Sequence, residues 1–227
     1  MSISKSSLQF LKNLSQNNNR DWFAENKPSY VKAHEDIIQF ADEVLNQLNT
    51  FDKIDTPNGK KVVKRIYKDV RFSKNKDPYK NNFGLVFIRA GADRRGSFYI
   101  HIQPGSNFIG GGFWGPEKDD LLRIRKHIEV DDSELRHVIN SKQFTSNFGS
   151  LQGDQLKSAP KGFDKEHSAI DLLRYKQFLI SKEFTDKDVL SSDFTTTAAE
   201  TLKAMLPFFE VMTEMLTTNL NGESLIE

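Results

Sequence analysis

Cysteine is absent from this chain. That excludes disulfides, thiol nucleophiles and thiolate metal sites, and it suits a reducing compartment. Histidine is scarce: the five in 227 residues are scattered, so no spacing of the His-Glu-x-x-His kind marks a metal site. Long apolar runs are missing as well. No stretch approaches the roughly 20 apolar residues that a membrane helix needs. The opening MSISKSSLQFLKNLSQ has no continuous apolar core of the signal-peptide kind. The expectation is therefore a cytoplasmic protein with no membrane partner. Nucleophile elbow, Walker loop, dinucleotide fingerprint, internal repeat and low-complexity tract are all lacking. No motif names a cofactor.

An excess of either charge is lacking too: 32 Lys and Arg face 31 Asp and Glu, a net +1. A protein that coats DNA is usually basic overall. The balance hides an asymmetry. Residues 60–80 carry nine Lys or Arg against two Asp, a local +7, which leaves 23 basic and 29 acidic residues, or −6, elsewhere. A basic site on a mildly acidic body suits a small or localised anion. With 37% hydrophobic and 28% charged residues the chain is a folded one. Its length suits one large domain over 1–227 or two small ones. The single domain is the expectation.

Within the basic segment, RIYKDVRFSKNKDPYK (65–80) reads as a strand running to Phe72 and then a loop. Val62, Ile66 and Val70 fall on one face by alternation, and Val63, Arg65, Tyr67, Asp69 and Arg71 on the other. Asp69 between two guanidinium groups would hold them in place. Arg71 would then offer a planar fork to a carboxylate or phosphate. Asp77-Pro78 is a turn signal that puts Lys74, Lys76 and Lys80 on or beside a loop. The competing reading is an edge strand whose charges deter aggregation.

Around this segment the periodicities place a helix over 4–15, with Leu8, Leu11 and Leu14 on one side. A turn capped by Asn19 follows, then a long helix capped by Asn26 with Pro28 in its first turn. Tyr30, His34, Ile37, Ala41, Val44 and Leu48 form the core stripe of that helix, so His34 reads as a partly buried structural histidine. Phe83–Ala90 and Ser97–Gln103 read as a hairpin. Its second strand alternates Phe98, Ile100 and Ile102 with Tyr99, His101 and Gln103. If the Tyr99–Gln103 face meets the Arg65–Arg71 face, one concave site results.

The run NFIGGGFWGP (107–116) is either a rim that exposes backbone N–H groups, with Gly111 and Trp114 at a ligand, or a bulged strand against a bulky neighbour. Helices are expected after Pro116 and after Asp131 or Asp132, then mostly loop over 140–168. A helix through Ile170, Leu173 and Tyr175 and a strand over Gln177–Phe184 come next. A last helix from about Asp193 to Leu220 should kink at Pro207. Its Met and Phe stripe is core or a homodimer surface. The tail 221–227 should fray. Helices at both ends around a block of short-looped strands give the fold class α+β, with a mainly antiparallel sheet.

Several motifs recur in order: Phe10-Leu11, Asn17-Asn18, Arg20-Asp21-Trp22-Phe23, Asn26-Lys27 and Tyr30; the run Arg65–Ser73; and Lys76–Lys80. Gly110–Gly112 with Trp114 and Pro116, Arg125, Leu156-Lys157, Pro160–Phe163, His167 and Lys176 complete them. As a set this resembles the family of bacteria, fungi and plants known as domain of unknown function 2461, over about residues 7 to 216. The resemblance implies a stand-alone α+β domain and brings no activity with it.

Three functional readings follow from the residues. In the first, the protein binds a phosphate-bearing or other anionic small molecule. Arg65 and Arg71 clamp it, Lys74, Lys76 and Lys80 add field, and Tyr67, Tyr79 or Trp114 cover an apolar ring. In the second, the same site is an enzyme acting on a phosphorylated substrate, with His101 as general acid or base assisted by Asp69 or Tyr99. In the third, the basic strand and its aromatics hold nucleic acid.

Overall fold

A computed structural model describes residues 3–226. The N-terminal helix α1 (Lys5–Gln16) starts where Ser4 Oγ accepts from Ser7 N–H, and α2 (Arg20–Glu25) starts where Asn19 Oδ1 accepts from Trp22 N–H. Both caps satisfy N–H groups that a helix start leaves unpaired. The long helix α3 (Lys27–Leu48) has Asn26 before its first turn, but that side chain does not cap it. Asn26 Nδ2 donates back to Trp22 O instead. One turn, α4 (Gly59–Val62), follows.

Four strands, β1 (Phe83–Ile88), β2 (Ser97–Ile102), β3 (Asn107–Phe113) and β4 (Phe178–Phe184), form one antiparallel sheet in chain order. The fold is α+β, as the element pattern indicates. Between β3 and β4 lie α5 (Lys118–Val130), α6 (Ser133–Asn140), α7 (Lys142–Phe148) and α8 (Ile170–Leu173). After β4 come α9 (Asp186–Val189), α10 (Phe194–Lys203) and α11 (Leu206–Thr217).

Five expectations change. The chain from Arg65 to Phe72 is not a strand: α4 occupies Gly59–Val62, and the stretch after it makes isolated bridges at Val63 and Tyr67 with a bend at Ile66 between them. The loop over 140–168 holds α7, capped by Ser141. The helix through Tyr175 is the single turn α8. The last helix is two, because the chain turns at Ala204 and Met205 and Pro207 falls in the first turn of α11, where its missing N–H costs nothing. The tail does not fray as far as it is described: Leu225 N–H donates to Thr217 O and Thr218 bridges Ser224, while Glu227 lies outside the described residues.

The described residues divide into two compact units. The first holds the chain up to Ile88, Tyr99–Ile109 and Glu183–Glu200. Its core is Ile37, Phe40, Ala41 and Val44 of α3 with Leu85, Phe87, Ile100 and Ile102, and Phe194 stacks on Phe40 at 5.6 Å. The second holds Arg89–Phe98, Gly110–Lys182 and the chain from Thr201 on. Its core is aromatic: Phe98, Phe113, Phe144, Phe208 and Phe209 are buried, with Phe98 4.9 Å from Phe209. Each such ring contributes about 1.5–3 kcal/mol by leaving water.

In this second unit Gly110, Gly111 and Gly112 lie inside β3 because no side chain fits. A Cβ on Gly111 would come 2.8 Å from Phe209 Cζ and 3.0 Å from Met205 Sδ, and one on Gly112 (φ +129°) would strike Phe178 O. The glycines admit neighbouring side chains and backbone, so Gly111 offers no rim to a ligand. Trp114 beyond them is 78% exposed.

Candidate basic–aromatic site

The site is built on Tyr79, a residue with no regular element of its own. Both of its backbone groups pair with one side chain from the loop between α1 and α2: Asn18 Nδ2 donates to Tyr79 O (3.0 Å), and Tyr79 N–H donates to Asn18 Oδ1 (3.1 Å). The amide stands in for a partner strand. The Tyr79 ring is buried and lies flat on Phe23 of α2, with centroids 4.0 Å apart and planes 12° apart. Phe23 also touches Phe10 and Tyr30. Arg20-Asp21-Trp22-Phe23 thus supplies the floor under the basic segment.

That segment folds against itself. Tyr67 bridges Tyr79, Lys68 N–H donates to Pro78 O (2.9 Å) and Lys80 N–H donates to Ile66 O (2.7 Å). Lys64 N–H then donates to Gly84 O (2.8 Å), which leaves one residue, Arg65, between the paired positions Lys64 and Ile66 and three, Asn81–Phe83, between Lys80 and Gly84. The mismatch is a bulge opposite Arg65. Bulges re-aim side chains and gather beside binding sites. Here Lys64 and Arg65 come within reach of Lys80, whose ammonium is pushed below its ordinary value by burial first and then by Arg65 and Lys64. Among the described residues no carboxylate lies within ion-pair distance of Lys64, Arg65 or Lys80. Tyr67 sits beside them, its ring 5.4 Å from Tyr79 and 6.0 Å from Phe23, and it is 50% exposed.

Asp69 does not sit between two arginines. Its carboxylate takes Arg71 Nε (3.0 Å) and Nη2 (2.6 Å), and those bonds are the main cause holding it below its ordinary range, with Arg65 acting only at longer reach. The side of the Arg71 fork that would grip a phosphate is therefore occupied. Beyond it Phe72 is 96% exposed. Lys76 Nζ turns back to Val70 O (3.0 Å), and Lys74 is exposed on the same loop. Lys74, Lys76 and Arg71 thus belong to the loop tip, while Arg65, Tyr67, Tyr79 and Lys80 come together at the bulge.

Tyr99 and His101 form a separate group in the same unit. Tyr99 O–H donates to His101 Nδ1 (3.0 Å), His101 Nε2–H donates to Gln103 Oε1 (3.1 Å), and the imidazole lies on Phe108 at 4.8 Å and 13°. A side-chain amide oxygen can only accept, so Nε2 carries a proton, and in the neutral imidazole Nδ1 accepts from the Tyr99 hydroxyl, so both ring nitrogens are engaged. Burial, opposed by the Gln103 bond, pulls the imidazole below its ordinary value, and burial raises the Tyr99 phenol. No hydrogen bond, ion pair or ring contact among the described residues joins this trio to Asp69 or the bulge. The Tyr99 ring lies over Gly84, where a Cβ would come 2.7 Å from its hydroxyl, and Gly84 O is the acceptor of Lys64 N–H, so the trio borders the bulge without bonding to it.

Sequence reasoning did not assign Asn18, Arg20 and Phe23 to the site. Arg20 is close enough to oppose the burial-driven rise of the Tyr79 phenol. The signal was their place in the same ordered motif set as Arg65–Ser73 and Lys76–Lys80. The second unit holds a cleft of about 200 Å³, lined among others by Asp131, Glu134 and Glu214 with His127. Its acidic wall repels anions. Among the described residues no group of His, Asp or Glu side chains is arranged to hold a metal ion, and no helix is long and apolar enough to cross a membrane.

A family model described as a conserved hypothetical protein, DUF2461, matches residues 6–210. The chain belongs to the DUF2461 family. No curated protein and no solved structure matches it. The match takes in the Asn18 loop, α2 and the whole bulge, so the candidate site of this DUF2461 protein lies inside the family region.

Proposed function

We propose that this DUF2461 protein binds a phosphate-bearing small molecule at the bulge, with Arg65, Lys64 and Lys80 as its cationic grip. One observation carries the reading. Three cations gather on a bulge, and among the described residues no carboxylate lies in ion-pair reach of them, although Asp69 lies a few residues away and is committed to Arg71. Like charges held together cost free energy, and a bound anion would relieve it. Charge-assisted hydrogen bonds to phosphate are about twice as strong as neutral ones. Burial raises the Tyr79 phenol, so that ring brings no negative charge to the cations. His101 has both ring nitrogens engaged within its own trio and forms no bond to the cations among the described residues.

The test is titration calorimetry with inorganic phosphate and ribose 5-phosphate at low salt. Arg65→Ala and Lys80→Ala should each weaken binding about 10- to 150-fold, because each removes a charge-assisted bond of roughly 1.5–3 kcal/mol. Arg71→Ala should change it far less, since Asp69 takes the Nε and Nη2 edge of Arg71 and that residue belongs to the loop tip. Equal affinity in wild type, Arg65→Ala and Lys80→Ala would refute the assignment.

A further inference from the structure

Resting on the anion site just described, we infer that its ligand is a nucleotide whose base stacks on Tyr67 while its phosphate meets Arg65 and Lys80. The floor beneath is already closed: Tyr79 is buried and its ring covered by Phe23 at 4.0 Å. Tyr67 is held over that floor by its backbone bridge to Tyr79 and by its tilted contacts with Tyr79 and Phe23, yet half its surface faces solvent. None of the described cation–π contacts covers it, because those lie on Phe72, Phe209 and Phe163. An aromatic ring fixed from below, open above and flanked by unpaired cations is the arrangement by which proteins hold a base next to its phosphate.

The spacing agrees. Arg65 and Tyr67 are two residues apart, so their backbones are separated by at most about 7 Å. Lys80 follows the residue that Tyr67 bridges and is hydrogen bonded to the residue that precedes Tyr67. A ribose spans a gap of that order between its base and its phosphate. A bare phosphate or a sugar phosphate would use the cations and leave the ring unused.

The same chemistry is presented by a free nucleotide and by a nucleotide within a single strand. The experiment therefore titrates inorganic phosphate, ribose 5-phosphate, adenosine monophosphate and a short single-stranded oligonucleotide into the full chain, each at two salt concentrations. Variants are Tyr67→Leu, which removes the ring, and Tyr67→Phe, which keeps it. Adenosine monophosphate should bind about 5- to 150-fold more tightly than ribose 5-phosphate, the worth of one stacked base. Tyr67→Leu should erase that gap and leave phosphate affinity intact, and Tyr67→Phe should keep it.

A shallow salt dependence with the mononucleotide as the tighter ligand assigns the free nucleotide. A steep one with the oligonucleotide tighter assigns a strand. Equal affinities for ribose 5-phosphate and adenosine monophosphate, or equal losses for all ligands in Tyr67→Leu, overturn the nucleotide and leave the anion site standing. No binding of any of the four to wild type overturns both.

Discussion

Asn18 does more for the site than any of the charged residues that surround it. It pairs both backbone groups of Tyr79 across 61 residues of chain, in a part-buried place beside the stacked Tyr79 and Phe23 rings. Leaving a buried donor or acceptor unpaired costs about 1–3 kcal/mol. Asn18→Ala should therefore lower stability by roughly that amount, read as a drop in the urea midpoint with an unchanged slope. A variant as stable as wild type would show that water replaces the amide. The contrast with Arg71 is instructive. Its bonds to Asp69 are short, but side chains 77% and 44% exposed keep the pair in high dielectric, where such pairs add little stability.

At the scale of elements, what holds short pieces in place is side-chain bonding to their ends. The single turn α8 is too short to persist alone. Arg125 on α5 donates from Nε to Leu173 O (2.9 Å) and from Nη2 to Tyr175 O (3.0 Å). It satisfies carbonyls that a helix C-terminus leaves open. Arg136 on α6 grips Asp171 at the other end (2.7 Å). Arg125→Ala should destabilise the protein by about 1.5–3 kcal/mol and expose the Leu173 and Tyr175 region to hydrogen exchange. Unaltered protection there would mean that packing of Leu172 and Leu173 suffices. The sequence marks Arg125 only as one of the ordered motif set; its partners lie about fifty residues away. The hairpin β1–β2 was legible because its alternation and its turn are local. The 65–72 stretch was misread as a strand because alternation there is produced by a bend and a bulge.

For the molecule as a whole, stability should depend on pH through two half-buried imidazoles. Burial is the main cause that lowers both His34 and His101 below the ordinary value of 6.5. The unfolded chain takes up protons first as pH falls, so stability rises with pH in the window below 6.5. It is fully present above that value and is lost as pH drops through the folded-state values. Urea midpoints should fall between about pH 7.5 and about pH 5, and His101→Gln should flatten part of the slope. Equal slopes in both proteins would show that His101 protonates freely in the folded state. The charge map is also a property of the whole: a segment of +7 set in a remainder of −6 makes the basic site local.

Composition, periodicity and caps were enough to establish the α+β class, most elements to within a few residues, the core stripe of α3 and the local excess of positive charge over residues 60–80. These are short-range properties, set by side-chain polarity and backbone preference along adjacent residues. The family resemblance was legible for the same reason, as an ordered set of motifs. Which residues meet was settled by folding. The pairing of Asn18 with Tyr79, the stacking of Phe23 on that ring and the bulge that carries Arg65 to Lys80 all depend on contacts between distant parts of the chain. Their register comes from packing and hydrogen-bond closure in three dimensions, and no local pattern encodes it.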